Sequence, residues 1–231
     1  MKIYAVADIH GKKQRMAAIG SAIERFRPDI TIIAGDITQY RKAEQVIDRL
    51  DRLNTPMFAV RGNTDREQVE ALIRQSRNIR LLTPDPVKME DFSFSGTGGT
   101  LPLPFASRIC LKEKPALEAL GKGLPCPCPE HILVVHPPPR GVLDKVGNRF
   151  SAGSVNLKQF IEKFQPALVF CGHIHEQPGI QVLGQTLVVN CAMGKIGGGV
   201  VMEYGKNSPI RVDLLKPDGS SGMSTQFDPD L

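Results

Sequence analysis

Lys2-Ile-Tyr-Ala-Val-Ala-Asp8-Ile-His10 is an apolar run that ends abruptly in an aspartate and a histidine. Its apolar part, Ile3 to Ala7, is continuous rather than alternating, the pattern of a strand covered on both faces. The same design recurs twice downstream. Ile30 to Ala34 runs into Gly35-Asp36, and Met57 to Val60 runs into Arg61-Gly62-Asn63. Between these runs, residues 12–26, 41–53 and 65–75 carry apolar side chains at helical spacing. Such alternation predicts βαβ units, a central parallel sheet and an α/β fold.

Further along, residues 96–130 break into Gly, Pro and short polar stretches, which predicts loops with at most a short helix at 113–120. Order returns with strands at Ile132–Val135 and Ala167–Phe170 around a helix at 154–164. Strands follow at 180–183, 186–190, 198–204 and 210–215, spaced closely enough to be expected antiparallel. Residues 216–231 are rich in Gly, Ser, Asp and Pro, the composition of a flexible tail. The expected organisation is a single domain over 1–215 followed by that C-terminal tail, since 231 residues are an ordinary length for one α/β core.

Composition narrows the function classes. With 41% hydrophobic and 23% charged residues, and no apolar run near the roughly 20 residues a membrane helix needs, a membrane-spanning protein is not expected. The opening run meets charge too soon for a signal peptide, so a cytoplasmic location is the default expectation. A net charge of +5 favours anionic substrates. Nucleic acid is not the expected partner, because the basic residues are scattered and the chain has no Trp for a stacking platform. Five cysteines, an odd number, read as free thiols, and Cys126-Pro-Cys128 does not have structural zinc spacing. Composition leaves a homo-oligomer open.

The chemistry is concentrated at strand ends. Asp8-Ile-His10, Gly35-Asp36, Gly62-Asn63, His136 and Gly172-His173-Ile-His175 each follow an apolar run directly. Ligands of parallel α/β sheets bind beyond the carboxyl ends of the strands, so these segments can converge on one site. Four of the five histidines fall in them. The fifth, His131, lies five residues before His136, on the order of 16 Å along an extended chain, and is expected to be structural or solvated. Asp and His with carboxamide oxygen make a mixed N/O donor set, suited to Mn, Fe, Zn, Co or Ni rather than calcium. Asp8, His10, Asp36, Asn63, His136, His173 and His175 are too many ligands for one tetrahedral ion and enough for two divalent transition-metal ions. Glycine before Asp36, Asn63 and His173 lets the backbone turn close to the ligand atoms.

In this order the motifs D-x-H, G-D, G-N, H and G-H-x-H resemble the calcineurin-like metallophosphoesterase superfamily, over roughly residues 3–190. The segments His136-Pro-Pro-Pro-Arg140-Gly-Val-Leu-Asp144 and Cys171-Gly-His-Ile-His-Glu176 are similar to a small prokaryotic branch of it. The resemblance implies a two-sheet sandwich flanked by helices, the αββα metallophosphoesterase fold. It also implies one metal, manganese being favoured, on Asp8, His10, Asp36 and His175, and a second on Asp36, Asn63, His136 and His173, with Asp36 bridging. The implied reaction is hydrolysis of a small-molecule phosphate ester or diester by a hydroxide that bridges the metals.

One position departs from the family pattern, Thr64 in Gly62-Asn63-Thr64-Asp65, where the family usually has histidine. A threonine hydroxyl can donate a hydrogen bond but is no acid near neutral pH, so the chain is expected to prefer diesters or activated esters. Asp65, which in the family orients the missing histidine, is grouped with Asp36 and Asn63 as catalytic, or else caps the helix beginning near 65. Arg61 and Arg140 are the candidates for holding the substrate phosphate, because a guanidinium fork suits its oxygens. Asn190 is a candidate support for the ligands. The alternatives are a non-catalytic metal-binding scaffold of the same fold, which the intact ligand set disfavours, and a nuclease.

Overall fold

The computed structural model describes residues 1–39, 42–98, 113–147, 149–205 and 210–227. Its first elements are β1 Lys2–Val6, α1 Lys13–Phe26, β2 Ile30–Ala34, α2 Ala43–Asp51, β3 Met57–Val60, α3 Glu67–Gln75 and β4 Ile79–Leu81. Then come β5 Val87–Met89, β6 Phe92–Thr97, α4 Glu113–Lys122, β7 His131–Val135, β8 Lys145–Val146, β9 Phe150–Ser151 and α5 Val155–Phe164. These are followed by β10 Leu168–Cys171, β11 Gly179–Leu183, β12 Thr186–Asn190, β13 Val200–Glu203, β14 Ile210–Leu215 and β15 Ser221–Phe227.

Among the described residues the strands form a seven-stranded sheet, β15-β14-β13-β1-β2-β3-β4, a six-stranded sheet, β11-β12-β10-β7-β6-β5, and the β8-β9 hairpin. The side-chain alternation of each strand explains the layering. Ile3, Ala5, Ile30, Ile32 and Phe58 of the first sheet point at Phe94, Ile132, Val134, Leu168 and Phe170 of the second, and together they make the central core. The opposite faces, Tyr4, Val6, Ile33 and Met57 in one sheet and Leu133, Val135 and Val169 in the other, pack on helices. In α1 the residues that meet them are Met16, Ile19, Ala22 and Ile23, spaced along one helical face. The result is the expected sandwich with helices outside. Phe58 and Phe94 join the sheets edge to face at 5.1 Å, worth about 0.5–1.5 kcal/mol beyond their burial.

Parallel pairing brings the ligand segments together. β1 runs parallel to β2 with Val6 opposite Ile33, and β2 parallel to β3 with Ala34 opposite Val60, so Asp8, Asp36 and Asn63 all leave the carboxyl ends of strands in the first sheet. β7 and β10 are likewise parallel, with Phe170 opposite Val134, and His136 and His173 leave the second sheet together. The segment after β12 then joins the two sheets. Ala7 N–H donates to Cys191 O at 3.0 Å, and Met193 N–H to Ala7 O at 2.9 Å.

Three sequence expectations change. Residues 186–190 pair antiparallel with β11 but parallel with β10, because the β11-β12 hairpin folds back onto the edge of the second sheet. The composition of 216–231 reads as a flexible tail, yet Ser221–Phe227 is a strand paired with β14, its hydrogen bonds being backbone bonds that small polar side chains do not forbid. Within 96–130, α4 occupies Glu113–Lys122 and β6 continues to Thr97, while 99–112 lie outside the described residues.

His131 is buried and structural, not solvated. Its Nδ1 is 2.8 Å from Ser93 Oγ and its Nε2 2.7 Å from Ser95 Oγ, and burial pushes its pKa down to about 4. An unfolded histidine titrates near 6.5, so above that pH both states are neutral, and below it the unfolded chain takes up a proton that the folded chain refuses. Stability is therefore lost as pH falls from about 6.5 to about 4, by roughly 3 kcal/mol in full. In urea unfolding at about pH 7.5 and about pH 5, the His131→Gln chain should lose roughly 2 kcal/mol less than the native chain on acidification; equal losses would refute this.

Candidate metal centre

All seven predicted ligands meet at the carboxyl ends of the strands, with Asp8 and Asp36 between two sets of histidines. On one side His175 Nε2 is 3.0 Å from Asp8 Oδ1, and His10 Nε2 is 3.7 Å from Asp36 Oδ2. On the other, His136 Nε2 lies 3.5 Å from Asp36 Oδ1 and 3.0 Å from Asn63 Oδ1, which is also 3.1 Å from His173 Nδ1. The donor atoms of Asp8, His10 and His175 all lie within 4.8 Å of one another, as do those of Asp8, Asp36 and His136. Asp36 thus turns one carboxylate oxygen to each set of histidines.

The backbone at these ligands is unusual. Asp8, His10, Asp36 and His173 have φ of 59°, 52°, 52° and 69°, the left-handed region that side chains with a Cβ avoid at a cost of order 1–3 kcal/mol each. Gly35, at φ 90°, lets β2 turn so closely that a Cβ there would stand 2.5 Å from His136 Nδ1. At Gly62 and Gly172 the need is space alone, since a Cβ would lie 2.1 Å from Asp36 Oδ1 and 2.6 Å from Asp8 Oδ2.

The donor set fits divalent cations. His136 Nδ1 donates to Ala34 O at 2.8 Å, which directs Nε2 at the Asn63 and Asp36 oxygens, where a deprotonated Nε2 offers its lone pair to a cation. Asp8 Oδ1 is fully buried and lies 3.0 Å from His175 Nε2. Buried acceptors that point at one another repel unless a positive charge sits among them.

Titration behaviour follows from that crowding. Burial is the largest influence on Asp36 and raises its carboxyl, Asp8 adding to the effect and His136 opposing it. At Asp8 burial also acts upward, but His175 and His136 outweigh it and hold the carboxyl below its usual range. Burial drives His173 down to about 3, with His136 adding to the shift, so its ring is neutral and offers a lone pair. His10 is lowered by burial, whereas His175 is raised by its contact with Asp8. At His136 burial acts downward, and the Asp36 and Asp8 carboxylates overcome it.

The family model for calcineurin-like phosphoesterases matches residues 1–177. The chain belongs to this family. Calcineurin-like phosphoesterases are metal-using hydrolases, in keeping with the donor set. An uncharacterized protein of Methanocaldococcus jannaschii is 31% identical over 203 residues, 82% of this chain and 87% of its own. The fold is similar to that of a dimetal phosphatase from Danio rerio, with 10% identity, a TM-score of 0.65 and 99% of both chains covered. It is also similar to that of an archaeal phosphodiesterase, with 16% identity, a TM-score of 0.52, and 93% of this chain and 100% of that one covered.

The residues around the phosphoesterase ligands are placed differently from the sequence expectation in one case. Asp65 does not cap α3, whose N-cap position is Arg66 without a side-chain cap bond. It is buried instead and accepts from Ile37 N–H at 3.0 Å, Thr38 N–H at 2.7 Å, Thr38 Oγ1 at 2.9 Å and Gly62 N–H at 3.0 Å. One carboxylate therefore clamps the loop of Asp36 to the loop of Asn63. Asn190 is buried too, donating to Ile174 O at 2.9 Å and accepting from Ala192 N–H at 3.0 Å, which steadies the segment between His173 and His175.

Arg61 gives its Nε to Glu70 at 2.9 Å and its Nη1 to Asp65 O at 3.2 Å. Arg140 gives its Nη1 to Ser151 O, closing the loop that follows His136. Both are engaged with protein groups. Arg15, which sequence reasoning passed over, donates from Nη1 to the Asp8 carbonyl oxygen. A basic residue on a helix carries no sign in sequence that it faces a site.

Asp65→Ala should strip buried N–H groups of their acceptor, at about 1–3 kcal/mol for each left unpaired. Calorimetry is expected to show a lower Tm, and titration with Mn²⁺ an affinity weakened about 10- to 100-fold. Unchanged metal affinity in a folded variant would contradict the clamp.

Proposed function

We propose that this calcineurin-like phosphoesterase is a binuclear hydrolase acting on small phosphate diesters or activated esters. The observation that carries the reading is Asp36, with one oxygen 3.5 Å from His136 Nε2 and the other 3.7 Å from His10 Nε2. Asp8, His10, Asp36 and His175 would hold one divalent cation, and Asp36, Asn63, His136 and His173 the other, manganese being favoured among the transition metals that suit N/O donors. Such a pair, when bound, makes a water nucleophilic near neutral pH and offsets the charge of the phosphate oxygens, so the chain needs no nucleophile of its own.

The chain's residues set the positions. Thr64 N–H donates to Asp36 Oδ1 at 2.8 Å and steers that carboxylate. Its hydroxyl donates to Thr38 O at 2.8 Å, so its proton is committed to a backbone carbonyl rather than aimed at a leaving group. This supports the preference for leaving groups that depart as weak bases, because general-acid help is typically worth a factor of about 10² to 10⁴. The archaeal neighbour described as a phosphodiesterase is in keeping with that preference. Arg61 and Arg140 retain their place as candidate phosphate contacts. No helix among the described residues is long and apolar enough to cross a membrane, and Cys126, Cys128, Cys171 and Cys191 are free thiols, which supports a reducing, cytoplasmic setting.

Purified chain loaded with Mn²⁺ should contain about two ions and hydrolyse a model diester about 100-fold or more faster than a simple alkyl monophosphate. Comparable rates would remove the diester preference, and absence of both metal and turnover would favour the scaffold. Asp36→Ala deprives both groups of their shared ligand. Its turnover should fall below detection and its metal content to one ion or none, whereas near-native activity would refute the shared centre.

A further inference from the structure

The ligands of the cluster differ in how open they are. The side chain of His175 is 40% exposed and that of His10 12%, whereas those of Asp8 and His136 are 0%, so His175 is the most open of these four. Arg15 stands beside Asp8, whose Oδ1 is 3.0 Å from His175 Nε2. It lies in the first turn of α1, five residues beyond His10, and its Nη1 donates to the carbonyl oxygen of Asp8. From there its positive charge acts on His10 and His175 as well as on Asp8.

A guanidinium has five N–H groups. Among the described residues only the bond to Asp8 O involves Arg15, and no carboxylate forms an ion pair with it. Arg61, by contrast, is paired with Glu70 at 2.9 Å. Arg15 is half-buried, with N–H groups left to meet an anion from solvent, and a phosphate oxygen supplies the fork-to-oxyanion match that guanidinium favours.

We propose that Arg15 is a phosphate-binding residue of this site, fixed in direction by the Asp8 carbonyl and gripping a non-bridging oxygen of the ester as it enters past His10 and His175. This assignment rests on the proposed hydrolysis, since it names the group that receives that substrate. A structural role would confine Arg15 to holding the left-handed turn at Asp8.

The test compares native chain, Arg15→Gln and Arg15→Lys, all loaded with Mn²⁺ and with metal content measured. Inorganic phosphate is titrated calorimetrically, and KM and kcat are determined for the model diester. Arg15→Gln should keep its metal, bind phosphate about 10- to 100-fold more weakly and raise KM more than it lowers kcat, the size of one charge-assisted hydrogen bond or two. Added guanidinium should restore part of the loss. Arg15→Lys should fall between, because an ammonium is a point charge without the fork, and it carries the comparison alone if Arg15→Gln does not fold. Native phosphate affinity and native KM in the variants would overturn the proposal, as would loss of metal with unchanged phosphate affinity in the fraction that remains loaded. Weaker phosphate binding in Arg15→Gln, together with a native chain that hydrolyses neither diester nor monoester, would sink the hydrolase reading and leave the anion contact standing.

Discussion

The Asp36 carboxylate has to face two ways at once, and much of the architecture is explained by that demand. It needs a backbone at Asp36 that turns left-handed straight out of β2, with Gly35 before it making room for the His136 ring. It needs Gly62 on the neighbouring strand end, because any side chain there would occupy the place of Asp36 Oδ1. It also needs donors that settle which oxygen faces where. Thr64 N–H provides one, and the Asp65 clamp holds the two loops at the right separation. Parallel strands in register are what make this possible, since they deliver Asp8, Asp36 and Asn63 to the carboxyl ends of adjoining strands without long connections.

Such a centre is unfavourable in itself. Four candidate ligands sit in left-handed backbone, the carboxylates of Asp8 and Asp36 are buried close to each other, and polar atoms of histidine and carboxamide crowd together. The surroundings over-determine it. The strands that end in ligands are among the most deeply buried parts of the chain, packed between the sheets on one face and against helices on the other. Each large apolar side chain buried there contributes roughly 1.5–3 kcal/mol, enough for a few residues at the strand ends to be held in conformations they would not choose.

Much of this was legible in sequence because it depends on patterns local to the chain. Continuous apolar runs marked β1, β2, β3, β7 and β10, and the residues that followed each run marked the polar cluster where the candidate ligands meet. What escaped was whatever depends on contacts between distant segments. Asp65 sits where a helix cap would sit, and only the approach of the Asp36 loop shows that its partners are Ile37, Thr38 and Gly62. Phe92-Ser-Phe-Ser95 alternates as a half-polar strand should, but its polar face turns inward to His131 rather than to water, so neither the strand nor the buried histidine was evident alone. Arg15 looked like any helical cation. The polar composition of Ser221–Phe227 hid a strand whose bonds are made by the backbone.

That last strand bears on how the molecule meets others of its kind. A sheet ends somewhere, and the outermost strand presents unpaired backbone groups to any neighbour with a free edge. Here β14, with Ile210, Val212 and Leu215 buried, is not left outermost. It is covered by a mostly polar ribbon, Ser221-Gly-Met-Ser-Thr-Gln-Phe227, whose side chains are almost all exposed and whose pairing slips at a bulge between Asp213 and Leu215. A small-residue, polar, irregular rim makes a poor template for edge-to-edge growth. The segment whose composition reads as a flexible tail is thus the selvage of the sheet, finishing its edge and covering the apolar strand inside it.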